Sequence, residues 1–95
     1  NLGATAAIAE MLVQSTEKRT LLLPALPRVW ENGYVRGLKL SGGISLDMRW
    51  EKGVLVDLEL YNEIMDQKIF LLYGSKSCTC VLKKGERRKL DIRDF

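Results

Sequence analysis

A chain of 95 residues, 46% of them apolar and with a net charge of +3, makes one small domain with a single core, and that charge does not indicate a polyanion partner. The sequence contains no histidine, which removes the commonest general base and the commonest metal ligand. Its two cysteines, Cys78 and Cys80, cannot build a disulfide framework, and no apolar run approaches the roughly 18 residues that a membrane-spanning helix needs.

The chain opens Asn1-Leu2-Gly3, with neither a basic lead nor an initiator methionine. That is the profile of neither a signal peptide nor a natural start, so the expectation is a piece from the C-terminal end of a larger protein. Gly3 to Gln14 predicts a helix, because Ala, Leu, Met, Glu and Gln dominate it. Its apolar positions cover nearly the whole circumference, and a helix of that kind is buried on all sides. About 11 residues cannot cross a bilayer. The segment therefore looks made for a larger helical body, or for self-association through Ile8, Met11 and Leu12. Glu10, inside it, needs a partner when buried.

Ser15 to Arg19 is a polar break. Leu21-Leu22-Leu23 is a short apolar run, and Pro24-Ala25-Leu26-Pro27 is extended, since proline fixes φ and removes a donor. Its P-x-x-P spacing matches a polyproline ligand, but its apolar flanks favour an anchored segment. Trp30 and the turn Glu31-Asn32-Gly33 follow.

From Tyr34 the period becomes two. Ile44, Leu46, Met48 and Trp50 alternate with Ser45, Asp47, Arg49 and Glu51, which predicts a strand buried on one face. Glu51-Lys52-Gly53 turns the chain, and Val54 to Leu60 returns with Val56, Leu58 and Leu60 on one face. Leu55 is out of phase, which points to a bulge near the turn. Ile69 to Tyr73 is continuously apolar and is expected to be buried on both faces. Ser77 to Leu82 and Arg87 to Ile92 predict two further strands, joined by a turn at Lys83-Lys84-Gly85-Glu86. Turn signals at this spacing predict an antiparallel β-sandwich. The expected fold is mainly β, with one α-helix ahead of the sandwich; residues 1–19 form the helix and linker, and 20–95 the β domain.

Four clusters carry possible chemistry. Cys78 and Cys80, two apart on a strand, share a face, but zinc needs further ligands and core packing explains them better. Lys83, Lys84, Arg87, Arg88 and Lys89 lack the interleaved aromatics of a single-strand binder, so a solvated hairpin tip is expected and no nucleic acid. Asp47, Asp57 and Glu59 occupy the polar phase beside Arg49 and are expected as cross-strand ion pairs. Trp50 is in phase with the core, whereas Trp30 and Tyr34 are the candidates for stacking on a sugar ring. No cofactor or metal motif is read.

The run from Asn1 through Ser15 resembles a segment of glycoside hydrolase family 95, the α-L-fucosidase family. So do Leu22-Leu23-Pro24-Ala25-Leu26-Pro27 with Trp30 and Gly33 after it, then Gly37-Leu38, Gly42-Gly43 and the spacing Asp47…Trp50…Gly53. The match is close over the first 60 residues and looser in the tail. The resemblance implies a parent with an N-terminal β domain, an (α/α)6 catalytic barrel and a small C-terminal β domain, hydrolysing α-L-fucosides, or related galactosides, with inversion. A glutamic acid would protonate the leaving group, and an aspartate aided by asparagines would activate water. That aspartate would lie just upstream of Asn1, leaving Asn1 alone near the parent's active site and given no role. The expected function is a non-catalytic accessory domain partnered by the parent's catalytic domain, the alternative being a carbohydrate-binding module with a glycan as partner. The parent is expected to be secreted, periplasmic or on the surface of a bacterium.

Overall fold

The computed structural model describes residues 13–15, 19–23 and 29–95. Among these residues eight strands run in the order β1 (Val13–Ser15), β2 (Thr20–Leu22), β3 (Gly33–Leu40), β4 (Ile44–Glu51), β5 (Val54–Asn62), β6 (Gln67–Tyr73), β7 (Lys76–Leu82) and β8 (Arg87–Leu90), followed by a 3-10 turn at Ile92–Asp94. They form two four-stranded sheets: a first of order β1-β2-β6-β7 and a second of order β3-β4-β5-β8. The buried apolar residues of both form one cluster, as a two-layer sandwich requires.

The second sheet follows from alternation. In β4 the residues Ile44, Leu46, Met48 and Trp50 are buried while those between them face out. β4 returns as β5 through Lys52 and Gly53, at φ 52° and 75°, the two left-handed residues that a two-residue hairpin turn demands. The register shifts between Arg49 and Trp50, so that Trp50 pairs with Leu55. This is the expected bulge, and it puts Leu55 in the core with Leu58 and Leu60 and leaves Val56 half-buried.

Trp50 closes this end of the core. Its indole Nε1 donates to the Trp30 carbonyl at 2.8 Å, the partner that a buried indole N–H requires. The ring lies so close to Gly33 that a β-carbon there would meet Trp50 Cζ2 at 2.5 Å. The Asn-Gly pair thus serves two needs: Gly33 admits the ring, and Asn32 Oδ1 accepts from the Lys52 backbone N–H at 2.9 Å.

Several expectations are corrected. The helix expected over Gly3–Gln14 falls, as far as Leu12, outside the described residues, as do Asn1, Glu10 and Pro24–Pro27. Its last two positions are strand: Val13 pairs with Leu22 and Gln14 with Leu21, and the β-branched Val13 is buried in the sandwich. Among the described residues the sole helical element is the 3-10 turn.

The sandwich is not wholly antiparallel, because β2 pairs with β6 in parallel. The chain leaves the first sheet after β2, builds three strands of the second and comes back in the direction it left. The run Ile69–Tyr73 is buried on one face only: Ile69 and Leu71 are in the core, and Phe70 is exposed. Lys83–Glu86 is a turn, but β7 and β8 lie in different sheets, so it is a crossing and not a hairpin tip. The last strand ends at Leu90, because the Asp91 carboxylate accepts the Arg93 backbone N–H at 2.9 Å and caps the 3-10 turn.

Asn62 joins the two sheets. It continues the buried phase of Leu58 and Leu60 and is fully buried itself. Its side-chain Nδ2 donates to the carbonyls of Met65 at 2.7 Å, Lys83 at 3.0 Å and Leu82 at 3.3 Å, and its Oδ1 accepts from Gln67 Nε2 at 2.7 Å. Its backbone N–H donates to Glu86 O at 2.9 Å, and its carbonyl accepts from Gly85 N–H at 2.6 Å. One residue thereby satisfies the backbone at both places where the chain crosses between sheets after β5.

Two outcomes are expected in urea unfolding. Asn62→Ala, which takes a partner from the buried Leu82 carbonyl and from the part-buried Met65, Lys83 and Gln67 groups, should lower stability by about 3 kcal/mol. Gly33→Ala should lower it by about 1–3 kcal/mol and shift tryptophan fluorescence by displacing the Trp50 ring; an unchanged midpoint and spectrum would mean that the ring moves freely.

Candidate functional site

The outward face of the second sheet carries most of the charge that the sequence placed in the polar phase. Register sets it out in rows. Tyr34, Arg49 and Asp57 stand across β3, β4 and β5; Asp47, Glu59 and Lys89 stand across β4, β5 and β8; Lys39, Ser45, Tyr61 and Arg87 make the next row. An open hollow of about 450 Å³ lies over it, walled by Tyr34, Arg36, Asp47, Arg49, Asp57, Glu59 and Lys89 among others.

The charges are engaged with one another. Arg49 bonds Asp57 through Nε at 2.8 Å and through Nη2 at 2.6 Å, and it also contacts Glu51. Together these carboxylates raise its pKa, with Asp57 the larger influence. Asp47 Oδ1 accepts the Gly37 backbone N–H at 2.7 Å, where the β3–β4 register slips and Gly37 sits at φ 67°. Glu59 faces Arg87 at 3.6 Å, and the Arg87 guanidinium lies 4.8 Å from the centre of the Tyr61 ring. These pairs are solvent-facing, and each is worth little to stability. The expected cross-strand ion pairing of Asp57 with Arg49 is present.

The two sugar-stacking candidates are placed differently. Trp30 is half-buried, packs on the core and offers its carbonyl to Trp50. Tyr34 is 68% exposed, stands at the rim of the hollow and has Arg36 5.4 Å from its ring centre. The basic cluster does not act as a unit. Arg88 binds Glu86 at 2.9 Å through Nε, and Glu86 also accepts the Lys83 backbone N–H at 2.9 Å. The backbone N–H of Lys83 and the Arg88 guanidinium, in that order, hold the Glu86 carboxyl below its ordinary pKa.

Cys78 and Cys80 share the inward face of β7, with their sulfurs 3.6 Å apart and both thiols free. Burial first, then the neighbouring Cys78 sulfur, pushes the Cys80 thiol up to about 11, with Arg88 opposing. The thiolate is the reactive form, so Cys80 is inert at neutral pH. Among the described residues no three of His, Cys, Asp and Glu gather as a metal site.

The residue that sequence reasoning missed is Asn62. Its signal was present in the phase: a polar side chain two positions beyond Leu60, where the alternation calls for an apolar one.

An alkylating reagent at pH 8 should therefore modify Cys78 and leave Cys80 unmodified in the folded protein, with Cys80 reacting only as the pH approaches 11 or on unfolding. Peptide mapping by mass spectrometry reads this directly, and equal labelling of both at pH 8 would contradict the burial argument.

Comparison with known proteins fits this picture. Residues 14–92 match the family model for the glycoside hydrolase family 95 C-terminal domain. The chain is 52% identical over 64 residues to alpha-L-fucosidase 2 of Arabidopsis thaliana, covering 66% of this chain and 8% of that protein. It is 39% identical over 67 residues to a probable alpha-fucosidase A of Aspergillus oryzae, covering 60% of this chain and 9% of the relative. With a probable alpha-fucosidase A of Aspergillus niger it shares 28% identity over 96 residues, 84% of this chain and 12% of the relative. The chain thus spans about a tenth of the length of these relatives. The described sandwich accounts for the matched segment outside residues 16–18 and 24–28, and the chain belongs to glycoside hydrolase family 95, as its C-terminal domain.

Proposed function

We propose that this domain is a non-catalytic structural module of a larger glycoside hydrolase that acts on α-L-fucosides. One observation carries the reading. The carboxylates gathered under the hollow on the second sheet are tied down individually: Asp47 by a backbone N–H, Asp57 by Arg49 and Glu59 by Arg87. Glycoside hydrolysis needs two carboxyl groups, one to protonate the leaving oxygen and one to activate water or attack, held apart across the sugar. Here the carboxylates lie on an open sheet face that no wall of the described residues encloses, and each is already engaged by a backbone N–H or an arginine. The relatives are fucosidases by name, and this chain corresponds to about a tenth of each.

A second reading has one observation in its favour. Tyr34 presents an exposed ring at the edge of a polar hollow, beside Asp47, Glu59 and Lys89. An aromatic platform with adjacent hydrogen-bonding groups is the arrangement by which a protein holds a sugar.

The 95-residue chain should hydrolyse no aryl α-L-fucoside under conditions where the full-length protein does. Turnover by the chain alone would overturn the structural reading, and failure of the full-length protein on any fucoside would overturn the substrate. Titration with fucosylated oligosaccharides decides the second reading: binding that Tyr34→Ala weakens at least tenfold would support it, and absence of binding would leave the structural role.

A further inference from the structure

The two outward faces of the sandwich differ in kind. On the second sheet they are rows of paired charges. On the first sheet Leu21 of β2 stands beside Leu72 of β6, Phe70 follows along β6, and Val81 stands across from Lys68 on β7. Leu21 and Leu72 are half-buried, whereas Phe70 is 38% and Val81 64% exposed. These residues run diagonally across the face, with the uncharged Ser77 and Thr79 across from Leu72 and Phe70, and such a grouping on one sheet face marks a contact surface.

Two further features indicate what covers it. The four strands of this sheet contain no aspartate or glutamate, while Lys68 stands on the outward face of β6 and the exposed Arg19 adjoins β2. The strip is therefore apolar at its centre and basic at its rim, which complements a surface that is apolar with carboxylates around it. In addition, β1, the first described segment of the chain, is the edge strand of this same sheet. Polypeptide upstream of Val13 thus joins the sandwich on this side, and in the relatives the part beyond the matched segment is about nine-tenths of the molecule.

We infer that the outward face of the first sheet, centred on Phe70, Leu72 and Val81, is the seat on which the upstream domain of the same polypeptide docks, through an apolar surface rimmed by carboxylates. The inference rests on the reading of this chain as a module of a larger enzyme. It adds which face is covered and leaves the charged face to solvent.

The test uses the full-length protein. Hydroxyl-radical footprinting, normalised to each residue's rate in the urea-unfolded protein, should protect Phe70 at least tenfold relative to Tyr34. Without a docked domain their exposures of 38% and 68% predict a ratio of about two, and that result would overturn the proposal. The double variant Phe70→Glu/Val81→Glu should split thermal unfolding into two transitions, whereas Lys39→Glu/Lys52→Glu on the other side of the sandwich should leave one. Unchanged unfolding in the first variant would also overturn the proposal. Protection of Phe70 that disappears on dilution would assign the face to a second copy and overturn it likewise. Hydrolysis of an aryl α-L-fucoside is measured on the same preparation. Its absence would sink the enzyme reading while leaving the footprint to decide the docking face.

Discussion

A sandwich whose chain passes back and forth between layers must satisfy backbone groups at each crossing, where no ladder serves them. Here Asn62 meets that demand for two crossings at once. Its side chain takes up the carbonyls of Met65, Leu82 and Lys83, and its own backbone exchanges hydrogen bonds with Gly85 and Glu86. Gln67 completes the arrangement by bonding Asn62 Oδ1 and, at 2.7 Å, the Gly42 carbonyl in the β3–β4 turn. An amide suits this place because it offers two donor hydrogens and an acceptor in one plane. Burying it is tolerable only because each polar atom finds a partner, and among the described residues no buried side-chain nitrogen or oxygen is left without one. The apolar layers supply the driving force for the fold, but this amide determines how their ends are joined.

The second sheet was legible because its β4–β5 hairpin obeys the period of two and its turn carries Gly53. Leu55, out of phase, even marked the bulge. The first sheet was less legible for a physical reason. β1 and β2 are three residues each, too short to display a period, and Val13-Gln14 continues an alanine-rich stretch whose local preference is helical. Only the pairing of Val13 with Leu22 reverses that preference, and pairing is not a property of either segment alone. The parallel match of β2 with β6 was hidden for the same reason. Chemistry was read more easily: the ion pairs followed from alternation of charge on facing strands, and the shared face of the two cysteines from their spacing. The role of Asn62 was the harder part, since a lone polar residue in an apolar phase signals a network without naming its members.

The charged face illustrates how dense ionisable groups can be chemically quiet. Arg49, Asp57, Arg87 and Glu59 neutralise one another on an exposed face, with no wall over them among the described residues. A catalytic site needs the reverse condition: groups preorganised in a dry enclosure, with a charge state held away from its ordinary one. Cys80 is the converse, enclosed by the core, so that burial drives its thiol toward the neutral form.

The parallel ladder between β2 and β6 also has a meaning in time. Hairpins β3–β4 and β4–β5 can form as soon as their turns exist, but Thr20 and Leu21 cannot find their ladder partners Leu71 and Leu72 until most of the domain has been made. Contacts so remote in sequence are slow to close. On a ribosome, β1 and β2 can therefore pair only with each other while the second sheet assembles, and a molecule stalled before Leu71 carries β2 with its other edge unpaired.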